Sequence, residues 1–154
     1  MSSCVTGGLE DIIRGLAEVL GSNDRVLFAI LFGSYARGMA GSLSDLDVAI
    51  FVEGRLDFDE LSDLICSIAS RLGINEDKID IVVLDDETPY ELRFKVFKDG
   101  IPIVVKDEKV FKEYRDKSLS LYWDFKVFKE KLDLDKKYLE ALKRSFHGGS
   151  TNKA

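Results

Sequence analysis

The sequence predicts an α/β domain of two layers, a small mixed sheet packed by helices, with a helical C-terminal third. Three observations predict it. Four apolar runs of strand length, Val26 to Phe32, Asp45 to Val52, Ile79 to Leu84 and Ile101 to Val105, are bounded by turn residues. Segments with apolar residues three and four apart interleave with them. Beyond Val105 only the helical period continues. The order helix, strand, strand, helix, strand, helix, strand, helix, helix fits that fold class.

The first helix carries Leu9, Ile12, Ile13, Leu16, Val19 and Leu20 at helical spacing, and Gly21-Ser22-Asn23-Asp24 stops it. Val26 to Phe32 is continuously apolar, as a strand buried on both faces would be. A glycine-serine turn follows, with a short helical turn expected over Ala36 to Met39. The link from Phe32 to Asp45 is too long for a tight hairpin. Phe58, Leu61, Leu64, Ile65, Ile68 and Leu72 define an amphipathic helix closed by Gly73. Pro89 suits a helix N-terminus, with Tyr90 to Lys98 behind it. Pro102 favours a sheet edge for the fourth strand, because proline has no N–H to give to a neighbour. Phe111, Tyr114, Ser118, Leu121, Phe125, Phe128 and Leu132 form one stripe along a long helix, and Tyr138, Leu139, Leu142 and Phe146 a shorter one. The expected domain is residues 1–147, with 148–154 a disordered tail.

With 45% hydrophobic and 32% charged residues, the 154-residue chain has the composition of one soluble globular domain. A net charge of -6 argues against an extensive nucleic-acid surface, which needs clustered lysine and arginine. Cys4 and Cys66 match no metal spacing, and Cys66 is expected as a buried thiol. The first residues lack a basic segment followed by an apolar one, so no signal peptide is expected. The longest apolar run is too short to span a bilayer. A cytoplasmic location, with no membrane partner, follows as an expectation.

The chemistry concentrates between Gly33 and Asp80. Side chains alternate along a strand, so Asp45 and Asp47 share a face, with Cα atoms ~6.6 Å apart. Leu46 and Val48 take the other face. Asp80 is a third carboxylate inside an apolar strand, costly there unless paired or coordinated. If the two strands are neighbours, the three acids converge, repel one another and favour a cation. Hard carboxylate oxygens select Mg²⁺ or Mn²⁺ over zinc. Gly33 lets backbone approach a phosphate closely, and Ser34 adds a hydroxyl donor in a turn whose amides can form an anion nest. Arg37 can reach a phosphate with its planar fork. Singly, each has a plainer explanation: a turn, a strand-start or surface acid, a structural ion pair, a carboxylate bonded to a neighbouring amide. Together, in order and on these elements, they point to metal-assisted chemistry on a triphosphate.

Gly33-Ser34, ten residues, then Asp45-x-Asp47, with Asp80 on a later strand, resembles the signature of the DNA polymerase beta-like nucleotidyltransferases. The short length and helical C-terminal third resemble the minimal branch, the MntA-type antitoxins, as do Pro89 through Arg93, Lys98-Asp99-Gly100 and Tyr122-Trp123-Asp124-Phe125. The resemblance covers nearly the whole chain. It implies ATP as substrate and two Mg²⁺ ions held by Asp45, Asp47 and Asp80, with Gly33 and Ser34 on the β- and γ-phosphates. It implies transfer of AMP to a tyrosine hydroxyl of a partner HEPN-domain toxin, which silences the toxin, and hence a hetero-oligomer. The competing functions are nucleotide transfer to a small molecule such as an aminoglycoside, and neutralisation of a toxin by binding alone. Against the former, the chain has no second domain to build an acceptor pocket.

Remaining residues carry weaker signals. Leu119, Trp123 and Val127 form a second apolar ridge, expected as core packing or else as a docking face. His147 stands beside a Gly-Gly tail and is a poor catalyst. Arg93, Lys95 and Lys98 are within reach of a nucleotide but are expected as a solvated basic face. Asp85-Asp86-Glu87 is expected as a solvated loop.

Overall fold

A computed structural model describes residues 8–41 and 44–120, together with residues 126, 130, 140 and 141. The chain divides into two units, Met1–Leu119 and Ser120–Ala154. The described residues of the second unit are helical. Leu121, Trp123, Phe125, Val127, Phe128, Leu132, Tyr138, Leu139, Leu142, Phe146, His147, the 148–154 tail and Cys4 lie outside the described residues.

The first unit follows the expected order. Helix α1 (Leu9–Gly21) leads into β1 (Val26–Phe32), a four-residue helix α2 (Gly33–Ala36), β2 (Leu46–Val52), α3 (Phe58–Leu72), a 3-10 turn over Glu76–Lys78, β3 (Ile79–Val83), α4 (Tyr90–Asp99) and β4 (Ile101–Val105). Residues 108–119 are again helical. The four strands form one mixed sheet in the order β3-β2-β1-β4. Strand β1 is antiparallel to both β2 and β4, while β2 and β3 are parallel and joined through α3. Pro102 does lie on an edge strand.

Each face of the sheet has its own core. Val26, Ala29 and Leu31 of β1 and Leu46, Val48, Ile50 and Val52 of β2 pack with Leu16 and Leu20 of α1 and Leu64, Ile68 and Leu72 of α3. This is the expected helical layer against a mixed sheet. Phe28, Ile30, Phe32 and Ala49 point the opposite way, onto Val96 of α4, Leu84 and Tyr114. Phe28 anchors this second core, stacked on Phe51 at 5.1 Å and edge-on to Phe111 at 5.1 Å. A register shift between Val26 and Phe28 puts Val26 and Ala29 on one face although they are three residues apart. Both faces being covered explains the uninterrupted apolar run of β1.

Local signals set the helix ends. Asp57 caps α3 with a full capping box: its carboxylate accepts the Glu60 N–H at 2.8 Å, and Glu60 accepts the Asp57 N–H at 3.1 Å. Gly73 ends α3 in the left-handed region, φ +70°, as its position predicted.

Three expectations change. The helical turn after β1 spans Gly33–Ala36 instead of Ala36 to Met39, starting as soon as the strand ends. Phe58 is 81% exposed, because it occupies the first turn of α3, beyond the buried stripe that begins at Leu64. Cys66 is exposed, its Sγ 3.4 Å from a Glu76 carboxylate oxygen. Two residues past Leu64, it lies about 200° around the helix from the buried face.

Candidate active site

Strand β1 ends at Phe32, whose partner across the antiparallel pair is Asp47. Asp47 in turn is the register partner of Asp80 on the parallel strand β3. Leu46 and Val48 flank Asp47 and are buried in the α1/α3 core, as is Ile79 beside Asp80. Alternation therefore sends both aspartates to the opposite face, the one α4 covers. Asp45, one step before β2, is exposed, as is Asp80, and Asp47 is half-buried.

Gly33 brings backbone directly against this pair. It takes φ +74°, and a Cβ at that position would collide with the Asp47 carboxylate. Only glycine meets both conditions without strain. The chain then turns tightly: the Arg37 N–H donates to the Gly33 carbonyl at 3.2 Å, and the Met39 N–H to the Ser34 carbonyl at 2.9 Å. Ser34 is half-buried and Arg37 exposed.

The electrostatics agree with the geometry. Asp47 titrates above the usual carboxylate range, first because burial disfavours its charge, then because Asp80 and Asp45 repel it. Lys95 and Arg37 act in the opposite direction. As the side chains stand, no three His, Cys, Asp or Glu residues among the described residues converge closely enough to hold a metal ion. Asp47 and Asp80 are brought together, and Asp45 is within electrostatic reach, without closing into a ligand cage. The donor set nonetheless fits a hard divalent cation. All three groups offer carboxylate oxygens, and their mutual repulsion is what such an ion would relieve.

The basic residues of α4 separate into different roles. Arg93 is 2% exposed, not part of a solvated face. It donates to the Asp85 carbonyl at 2.7 Å and the Thr88 carbonyl at 3.0 Å and lies 4.7 Å from the Tyr114 ring centre. Tyr114 Oη donates to the same Asp85 carbonyl at 2.7 Å. Arg93 therefore holds the 85–88 loop down, a task that helical periodicity alone does not signal. The Asp85-Asp86-Glu87 side chains are exposed, as expected of a solvated loop. Lys98 sits 5.8 Å from the Phe94 ring centre. Lys95 is exposed, and its charge acts on Asp47.

Residues 14–109 match the family model for polymerase beta nucleotidyltransferases. The chain belongs to that family. Among curated proteins none matches it. Solved structures share its fold. A toxin-antitoxin with AMP-PNP aligns at 22% identity over 81% of this chain and 98% of the other, TM-score 0.64. A tri-AMPylated Shewanella oneidensis HEPN toxin in complex with MNT antitoxin aligns at 20% identity over 84% and 98%, TM-score 0.60. A mutant MntA-HpeT toxin-antitoxin, carrying two aspartate-to-glutamate changes two positions apart, aligns at 21% identity over 84% and 98%, TM-score 0.61. For this nucleotidyltransferase, no helix among the described residues is long and apolar enough to cross a membrane.

Proposed function

We propose that this nucleotidyltransferase moves AMP from ATP to a tyrosine hydroxyl of a partner HEPN toxin, in the cytoplasm, and so acts as the antitoxin of a toxin-antitoxin pair. The observation that carries the proposal is the placement of Asp47 in register with Asp80, with the Gly33 backbone against its carboxylate. The similarity in fold to an antitoxin complexed with a tri-AMPylated HEPN toxin supports the choice of acceptor, as does the toxin-antitoxin with AMP-PNP for the nucleotide.

In this reading Asp45, Asp47 and Asp80 would hold two Mg²⁺ ions. When bound, these supply the positive charge that offsets the charge developing on the transferring phosphate. The chain's own residues do the rest. Gly33 and Ser34 hold the β- and γ-phosphates by backbone amides and a hydroxyl, and the absence of a Cβ at Gly33 keeps the approach open. Arg37 flanks the phosphates. The tyrosine oxygen attacks the α-phosphorus in line, the bond to the β-phosphate oxygen breaks, and pyrophosphate leaves. Asp80, the exposed carboxylate of the pair, is the acceptor for the hydroxyl proton.

The test is incubation of the protein, Mg²⁺ and the proposed HEPN partner with ATP labelled at the α- or the γ-phosphate. The α-label is expected on the toxin and the γ-label in pyrophosphate, and both signals are expected to vanish with Asp45→Asn plus Asp47→Asn. Undiminished toxin neutralisation by that double variant would replace catalysis with binding alone.

A further inference from the structure

We propose that Lys95 is a triphosphate-binding residue of this site, acting from α4 as Arg37 acts from the turn after α2. The proposal rests on the nucleotidyltransferase reading above and extends its binding residues to an element outside the Gly33–Asp80 stretch.

Position comes first. Helix α4 covers the sheet face to which Asp47 and Asp80 point. Val96, the residue after Lys95, is fully buried in the same cluster as Phe32 and Ala49. Phe32 is the cross-strand partner of Asp47, and Ala49 is the next residue on its face. Lys95, one residue before Val96 on the helix that covers this face, is exposed, and its charge acts on the Asp47 carboxylate. Helix α4 also packs against α2, the helix that begins at Gly33. Lys95 and Arg37 therefore approach the site from two elements in contact.

Charge gives the position its use. Three carboxylates and a triphosphate carry more negative charge than two divalent cations neutralise, so further cations are needed where the nucleotide lies. Lys95 is exposed, and no salt bridge among the described residues engages it or Arg37. The other two basic residues of α4 are already committed, Arg93 to the 85–88 loop and Lys98 to the Phe94 ring. A lysine on a flexible stem suits this duty, since it meets phosphate oxygens as a point charge without fixed fork geometry.

The experiment is calorimetric binding of AMP-PNP with Mg²⁺ to the full chain, repeated from low to moderate NaCl. Wild type is compared with Lys95→Ala, Lys95→Arg, Lys98→Ala and Asp47→Asn. Lys95→Ala is expected to weaken binding about tenfold and to flatten its salt dependence, with an unchanged melting temperature. Lys95→Arg is expected to keep most of the affinity, and Lys98→Ala to stay within about twofold of wild type. Wild-type affinity and salt dependence in Lys95→Ala, with binding lost in Asp47→Asn, would overturn the role of Lys95 and leave the site intact. Absence of AMP-PNP binding by the wild type would overturn both.

Discussion

Asp47 and Asp80 are direct neighbours across the parallel β2–β3 pair, the one place in this sheet where two carboxylates share a rung. Neighbouring strands are about 4.8 Å apart, so the like charges face each other at the half-buried end of an otherwise apolar sheet. Burial and repulsion both raise the Asp47 titration. A fold that keeps this arrangement accepts instability that a bound cation removes.

Asp47→Asn therefore separates stability from activity. A carboxyl whose pKa is raised in the folded state costs stability when ionised, above its folded pKa. That cost fades as pH falls and is gone below the unfolded value. Without metal, Asp47→Asn is expected to melt at or a few degrees above wild type at pH 7, and the gap is expected to close in acid. Nucleotide transfer is expected to fall by at least about 100-fold. Thermal scans from pH 4 to 8 beside a transfer assay check both. A lower melting temperature at pH 7 would contradict the electrostatic account.

Mg²⁺ is expected to raise the melting temperature of the wild-type protein in a concentration-dependent way, by roughly 2–5 °C at saturation. The same titration is expected to leave Asp45→Asn plus Asp47→Asn unmoved. Equal shifts in the two proteins would place the ion elsewhere.

Gly33→Ala meets two obstacles, a left-handed φ and the Asp47 carboxylate itself. Denaturant unfolding is expected to show a loss of about 1–3 kcal/mol. Combining it with Asp47→Ala, which removes the colliding group, is expected to recover part of the loss but not the backbone term. Strictly additive losses would contradict the close approach.

Arg93→Ala is expected to destabilise the fold by about 3 kcal/mol or more, since it removes two bonds to carbonyls of the 85–88 loop and the cation against Tyr114. Arg93→Lys is expected to recover little, because one ammonium cannot span both carbonyls as the guanidinium does. Chemical denaturation of both variants provides the check.

Much of this was legible from local pattern. The buried strand β1, the α3 stripe closed by Gly73 and the edge position of Pro102 follow from period, length and backbone chemistry. The face Asp47 takes, opposite Leu46 and Val48, follows from strand alternation. What stayed hidden depends on which elements meet. The meeting of Asp47 with Asp80, 33 residues on, was expected only on the condition that their strands are neighbours, and the parallel pairing of β2 with β3 supplies that condition and the shared rung. Arg93 and Lys95 are two residues apart on one helix, yet one is buried under the 85–88 loop and the other open beside Asp47. That difference is set by the orientation of α4 on the sheet, which charge and periodicity do not encode. Cys66 shows a smaller effect, two residues along α3 carrying a side chain from the core at Leu64 to solvent.

Mass spectrometry of the proposed HEPN partner, after incubation with the protein, ATP and Mg²⁺, is the most direct check on AMP transfer. One or more AMP units on a toxin tyrosine are expected. They are expected to be absent when Asp45→Asn, Asp47→Asn or Asp80→Asn replaces the wild type. An unmodified toxin that the wild-type protein still neutralises would contradict it.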